Sequence, residues 1–253
     1  ATTGALIWNY TTGDEVYSSP VVADAKVYVG SLDGKVYCLN TTTGALLWNY
    51  TAGVEVCSSP AVAGGRVFVG SAGMDYGDVC CLDAATGTHI WTYRTWGSVS
   101  SSPAVADGKV YVGSGDSMVY CLDAYTGNLI WSYRTNDMVS SSPAVSDGKV
   151  YVGSYDSKVY CLNASTGASI WNYTTGDWVF SSPAVADGKV YVGSSDSKVY
   201  CLNATTGAFV WSYMTGGDVD SSPAVVGGLV YVGSRDNLFY CLNAATGAFV
   251  WSY

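Results

Sequence analysis

A chain of 253 residues that is 49% hydrophobic and 12% charged can bury a sizeable core, and its 30 glycines and 21 tyrosines exclude a disordered chain. The formal net charge of −9 excludes nucleic acid as the expected partner, because phosphate binding needs clustered Lys and Arg. No apolar run is long enough to cross a bilayer as a helix, so direct membrane insertion is not expected.

The first residues, ATTGALIWNY, read as one strand-like segment around Trp8 with no neighbouring strand of its own. After the link TTGDEVYSSP, short alternating runs follow, and the same succession returns about every 40 residues, with one insertion in SAGMDYGDVC. Its clearest copy is SSPAVADGKVYVGSSDSKVYCLNATTGAFVWSY (181–213). KVYVGS and KVYCLN alternate as half-buried strands, ADG is a hairpin turn, SSD joins the second strand to the third, and ATTG turns the third into the fourth. Each unit is therefore four antiparallel strands, roughly SSPAVA, KVYVGS, KVYCLN and AFVWSY.

Four strands in about 40 residues predict a β-propeller blade. The expected fold is all-β, one propeller domain over 1–253 with six blades near 13–52, 53–95, 96–135, 136–175, 176–215 and 216–253. Residues 1–12 are an extra fourth strand, expected to close a ring by pairing of residues 5–10 beside 238–243 and leaving 247–253 as a spare. The alternatives are a fragment of, or assembly into, a seven- or eight-bladed ring, and an oligomer in which the spare strand completes a neighbour. The absent initiator Met and the strand-like FVWSY end read as an excised or mature segment.

Six of the eight cysteines, Cys38, Cys81, Cys121, Cys161, Cys201 and Cys241, share one repeat position, where a small buried thiol is expected and a bridge is not. The frame C-x-[DN]-x-x-T-G-x-x-x-W resembles the tryptophan-docking motif of PQQ-like β-propellers and fits along the whole chain. That resemblance implies that Trp8, Trp48, Trp91, Trp131, Trp171, Trp211 and Trp251 stack on the Thr-Gly turn of an adjacent blade. Relatives include quinoprotein dehydrogenases holding PQQ and Ca²⁺, and non-catalytic scaffolds such as that of the outer-membrane assembly machinery. Some quinoproteins carry a disulfide of adjacent cysteines, which Cys80 and Cys81 imitate, but in register they fall within a third strand. The lone His89 reads as surface packing, and no nucleophile–base set or metal-ligand spacing is present.

Departures from the repeat gather in the links from fourth to first strand and in the second-to-third hairpins. The candidate ligand-binding residues are Tyr17, Trp96, Asp137, Trp178, Phe180, Asp218, Asp220 and Arg235, expected on one face around a channel mouth. Aromatic, carboxylate and Arg side chains together suit a protein, peptide or glycan. The expected function is a non-catalytic binding or scaffold module without a cofactor, from a larger secreted or cell-surface protein. The alternatives are a PQQ- and Ca²⁺-dependent dehydrogenase and a duplicated or engineered propeller with no evolved ligand. Sequons at Asn9, Asn40, Asn49, Asn163, Asn172 and Asn203 agree with an extracellular setting.

Overall fold

The computed structural model describes residues 4–253 and forms, among them, twenty-four strands and no helix. The sheets are β1–β4 (21–51), β5–β8 (61–95), β9–β12 (104–134), β13–β16 (144–174), β17–β20 (184–214) and β21–β24 (224–252). In every sheet the strands lie in chain order, so successive strands are joined by hairpins. The fold is all-β, built from six four-stranded antiparallel blades of a β-propeller.

The first strand of a blade is only three residues, as in β1 (Val21–Ala23), and Ser-Ser-Pro stays outside it. Those serines are used as clamps instead. Ser18 Oγ donates to the Gly30 carbonyl at 2.9 Å and accepts the Gly30 N–H at 2.8 Å, and Ser181 repeats this with Gly193. Proline has no N–H to offer a strand pair, so the ladder starts after it. The β1–β2 type of hairpin turns on two residues of positive φ, as at Asp107 and Gly108 (49° and 70°). In the first blade the second of these is Ala25, at φ 57°.

The chain divides into two compact units, one running to Val110 with Asp123–Asn128 and the other comprising Tyr111–Leu122 with Leu129–Tyr253. In the first unit Trp48 donates from Nε1 to the Ala84 carbonyl at 3.3 Å, and Tyr28 OH donates to the same oxygen at 2.9 Å. Trp91 repeats the contact on Ala124 at 3.2 Å. In the second unit Trp131, Trp171 and Trp211 donate to Ala164, Ala204 and Ala244 at 3.0, 3.2 and 3.1 Å. Each indole lies over the glycine of the same turn, Gly87, Gly127, Gly167, Gly207 and Gly247. The turn itself is held by its leading Asp or Asn: Asp83 Oδ1 accepts the N–H groups of Ala85 and Thr86 at 3.0 and 2.8 Å.

The repeat cysteines are all six fully buried, and Cys38, Cys161 and Cys201 sit in clusters rich in Val, Leu and Tyr. All eight cysteines are free. Cys80 and Cys81 are consecutive in β7 (Gly77–Asp83) and so point to opposite faces of the strand.

The expectation for the chain ends is corrected. The last sheet is completed by β24 (Phe249–Ser252), which pairs with β23 (Phe239–Asn243), with Cys241 opposite Trp251. Residues 247–253 are thus no spare. Residues 4–12 belong to no strand. Instead Trp8 seats on the first blade, Nε1 donating to the Thr41 carbonyl at 2.9 Å and its ring covering Gly44. Residues 1–3 of the proposed closing strand lie outside the described residues. The physical reason is locality: β24 follows β23 across the short Asn243–Gly247 turn, where Gly247 N–H donates to Asn243 at 2.8 Å.

Candidate binding site

Links and hairpins of one blade are tied together by a single carboxylate. Asp196 Oδ2 accepts the Gly176 N–H at 2.9 Å and the Tyr200 hydroxyl, while Oδ1 accepts the Lys198 N–H at 3.1 Å. Asp33 and Asp236 do the same for Gly13 and Gly216. Burial works against charge on Asp33, but hydrogen bonds from Tyr37, Gly13, Lys35 and Ser31 outweigh it and hold the carboxyl below its ordinary value. This clamp fixes the loop backbones and leaves the intervening side chains to face outward.

In the second unit those side chains form a cleft of about 200 Å³ lined by Asp177, Trp178, Phe180, Ser195, Asp218, Asp220 and Arg235. Five of the sequence-derived candidates, Trp178, Phe180, Asp218, Asp220 and Arg235, therefore meet in one place. Arg235 Nε bonds Asp220 Oδ2 at 2.6 Å, and Ser195 Oγ donates to Asp220 Oδ1 at 3.2 Å. The loops are pinned through main-chain bonds from Ser195 N–H to Trp178 and from Arg235 N–H to Asp218, at 2.9 and 2.8 Å. Tyr155 stacks on Trp178 with centroids 5.5 Å apart and meets Phe180 edge-on at 4.2 Å. This leaves Trp178 48% exposed and rigidly held.

Asp137 lies elsewhere in the second unit: its carbonyl accepts from Thr135 and Ser154, and its carboxylate caps the Met138 N–H at 2.7 Å. Asp137 therefore shapes its link and is absent from the cleft lining. Tyr17 and Trp96 belong to the first unit, both strongly exposed. A hydrogen bond with Glu15, then that residue's charge, raises the Tyr17 hydroxyl above its ordinary pKa. The insertion 71–80 helps line a separate cleft of about 280 Å³ with Val54, Glu55 and Ser98. His89 stacks on Tyr50 at 5.8 Å and bonds Thr92 at 2.8 Å, packing the blade surface.

One cleft escaped sequence reasoning, which placed the departures from the repeat only in the links and the second-to-third hairpins. About 220 Å³ opens between Arg66, Phe68, Asp107, Gly108 and Tyr125. The signal was there in two departures: Arg66 stands where four other repeats have Lys, and Tyr125 where they have Ala, Ser or Thr. Arg66 donates to the Ala124 and Tyr125 carbonyls, each at 3.0 Å, and lies 4.9 Å from the Tyr125 ring centre. Its charge is spent on holding the turn.

The donors expected of a quinoprotein site do not fit. Cys80 and Cys81 cannot bridge across opposite faces of one strand without breaking it, and the guanidinium in the Trp178 cleft is already bound to Asp220. Among the described residues no three His, Cys, Asp or Glu side chains converge to hold a metal ion.

The family model described as outer membrane protein assembly factor BamB matches residues 1–76, 71–139 and 115–253. A comparison with curated proteins finds no match. Among solved structures, BamB from Moraxella catarrhalis is similar at 20% identity and TM-score 0.82, over 94% of this chain and 76% of that one. The computationally designed Ika8 protein is similar at 21% and 0.88, over 99% and 78%. A europium-containing methanol dehydrogenase is similar at 16% and 0.81, over 98% and 72%. At these identities the solved structures share the fold alone, but the family matches run the length of the sequence, and the chain belongs to the BamB-like family of PQQ-type propeller repeats.

Proposed function

We propose that the chain is a non-catalytic binding module, and that its Trp178 cleft receives a protein or peptide segment presenting a basic side chain. The observation that carries this reading is the half-exposed Trp178, braced by Tyr155 and Phe180, beside three carboxylates and one guanidinium. An indole face attracts a cation, and the surplus of Asp177, Asp218 and Asp220 over Arg235 favours positive charge. The family description, an assembly factor for proteins, supports a protein partner. A sheet-borne cleft fixed by main-chain bonds suits recognition without rearrangement. The abundance of Tyr, Ser and Thr, the low charge and the sequons support a secreted or cell-surface setting within a larger protein.

Isothermal titration with tetralysine and tetraarginine, against cello- and malto-oligosaccharides, tests this. Binding of a basic peptide that weakens with salt and is lost in Trp178→Ala is the expected result. Oligosaccharide binding with silent peptides would reassign the cleft to a glycan. Binding that Trp178→Ala leaves unchanged would remove the cleft from the reading altogether.

A further inference from the structure

Three departures from the repeat converge on the cleft beside Arg66, which lies wholly within the first unit. Arg66 stands where other repeats have Lys26, Lys109, Lys149 and Lys189, and Phe68 where they have Tyr28, Tyr111, Tyr151 and Tyr191. Tyr125 stands where they have Thr42, Ala85, Ser165, Thr205 and Ala245. Arg66 and Phe68 belong to β6 (Arg66–Ser71), whereas Tyr125 sits in the turn of the following blade, so only folding brings the three together.

Two of the changes explain each other. Tyr28 and Tyr191 donate to the Ala84 and Ala244 carbonyls at 2.9 and 3.0 Å. Phe68 has no hydroxyl for the equivalent oxygen of Ala124, and Arg66 Nη1 supplies that bond at 3.0 Å. Holding the turn takes only this end of the guanidinium: Nη1 serves the Ala124 and Tyr125 carbonyls, while Nε and Nη2 bond to no oxygen.

The cleft therefore presents one group of each sign. Asp107 lines it from the hairpin of the next blade, and among the described residues neither Asp107 nor Arg66 takes part in an ion pair. Asp123, also near the guanidinium, is committed to its turn, accepting the N–H groups of Tyr125 and Thr126 at 2.9 and 2.8 Å. Ala63, Phe68 and Val105 supply apolar wall. Tyr125 is 63% exposed and stands over Gly108, where a Cβ would lie 3.5 Å from the ring.

An anion placed here would meet Arg66 but also Asp107, and a cation would meet the same conflict in reverse. A neutral ligand would cover both charges and pair neither, which costs desolvation without return. A zwitterion satisfies both at once. At about 220 Å³ the cleft is smaller than the roughly 300–1,000 Å³ that holds drug-sized ligands, so the zwitterion is small.

We propose that this cleft binds a free α-amino acid with an apolar side chain, its carboxylate on Arg66, its ammonium on Asp107 and its side chain against Phe68 and Val105. The guanidinium is the preferred partner of a carboxylate, and Tyr125 holds it in place from 4.9 Å. This inference is independent of the ligand assigned to the Trp178 cleft.

Titration calorimetry of the full chain at pH 7 tests it with L-leucine and L-phenylalanine against N-acetyl-L-leucine and L-leucinamide. The two amino acids bind with a Kd of about 1 mM or tighter. Each blocked derivative, having lost one of the two charges, binds at least about tenfold more weakly. Asp107→Asn, which keeps a residue tolerant of the positive φ found there, weakens leucine by a similar factor. Arg66→Lys, Phe68→Tyr and Tyr125→Thr combined restore residues that other blades carry; this variant keeps the circular dichroism of the native chain and loses leucine. Trp178→Ala binds leucine as wild type does, which separates this site from the other cleft. Absence of amino-acid binding at about 10 mM overturns the proposal. So does a blocked derivative that binds as tightly as leucine, or leucine binding that the restored variant retains.

Discussion

Trp48 lies flat on Gly87: a Cβ built there would stand 2.6 Å from the indole Cδ2, and Gly87 has φ of 72°. Two costs therefore attach to any side chain at this position, left-handed strain and a collision with the ring. Gly87→Ala is expected to lose about 2–4 kcal/mol of stability by urea denaturation, combining αL strain with overpacking. Gly247→Ala, under Trp211, is expected to cost the same; Gly188→Ala, whose Cβ meets nothing within 4 Å, costs only the strain.

The reverse change is available at Ala25. It alone among the second residues of these hairpins has a Cβ at positive φ, 57°, where Gly65, Gly108, Gly148, Gly188 and Gly228 occupy the equivalent place. Ala25→Gly is expected to raise stability by about 0.5 kcal/mol or more, the strain relieved less the added chain entropy. Thermal unfolding of the two forms side by side checks it.

Much of this was legible in the repeat: strand number, hairpin turns and buried cysteines follow from residue types at fixed spacing, while the indole–glycine pairing was what the resemblance to PQQ-like propellers implied. The chain ends were not, because ATTGALIWNY and AATGAFVWSY are nearly the same strand and composition cannot say which one pairs with Phe239–Asn243. Short loop closure decided it. Trp178, Phe180, Asp220 and Arg235 stood out as departures from the repeat, and the structure brings them together, whereas Asp137 departs as well but serves its own link. Tyr155 lies in one of the second-to-third hairpins where departures gather, but its role as the brace of Trp178 needed the third dimension.

The turn carboxylates give an acid dependence. Backbone N–H donation from Thr86 leads the causes that hold Asp83 below its ordinary pKa, and Thr126 does the same for Asp123. A depressed folded pKa contributes stability above the unfolded value, near 4, which is lost as pH falls through the folded value. Asp83→Asn with Asp123→Asn keeps the acceptor that Asn163 and Asn203 already provide in other turns. The double variant is expected to unfold less steeply below about pH 4 than wild type, measured by urea midpoints across an acid series.

Thiol burial gives the opposite limb. It pushes Cys38, Cys80, Cys81 and Cys161 up to about 11 and Cys201 to about 12. Raised values mean that stability is complete below the ordinary thiol pKa and declines as pH climbs toward the folded ones, where only the unfolded chain has lost its protons. Cys57, partly exposed beside Glu55, is the first expected to react with a thiol reagent in the native protein. The seven buried thiols should react only with global or local opening.

At the Trp178 cleft, Arg235→Ala is expected to tighten binding of tetralysine by a few-fold, because it removes the cation that neutralises Asp220. Titration calorimetry at low and high salt reads the change. A weakened interaction would mean that the guanidinium itself contacts the ligand.

The uniformity of the indole seats has a consequence for how the chain finds its fold. Gly87, Gly167, Gly207 and Gly247 each receive a tryptophan in almost the same contact, so no single seat can recognise its own tryptophan by shape or hydrogen bonding. Correct order must come from the tether: the neighbour in sequence reaches a seat first, at the smallest entropic cost. Such a chain is degenerate in its contacts and specific only through its connectivity, a landscape in which skipped-blade mispairings are the characteristic kinetic trap.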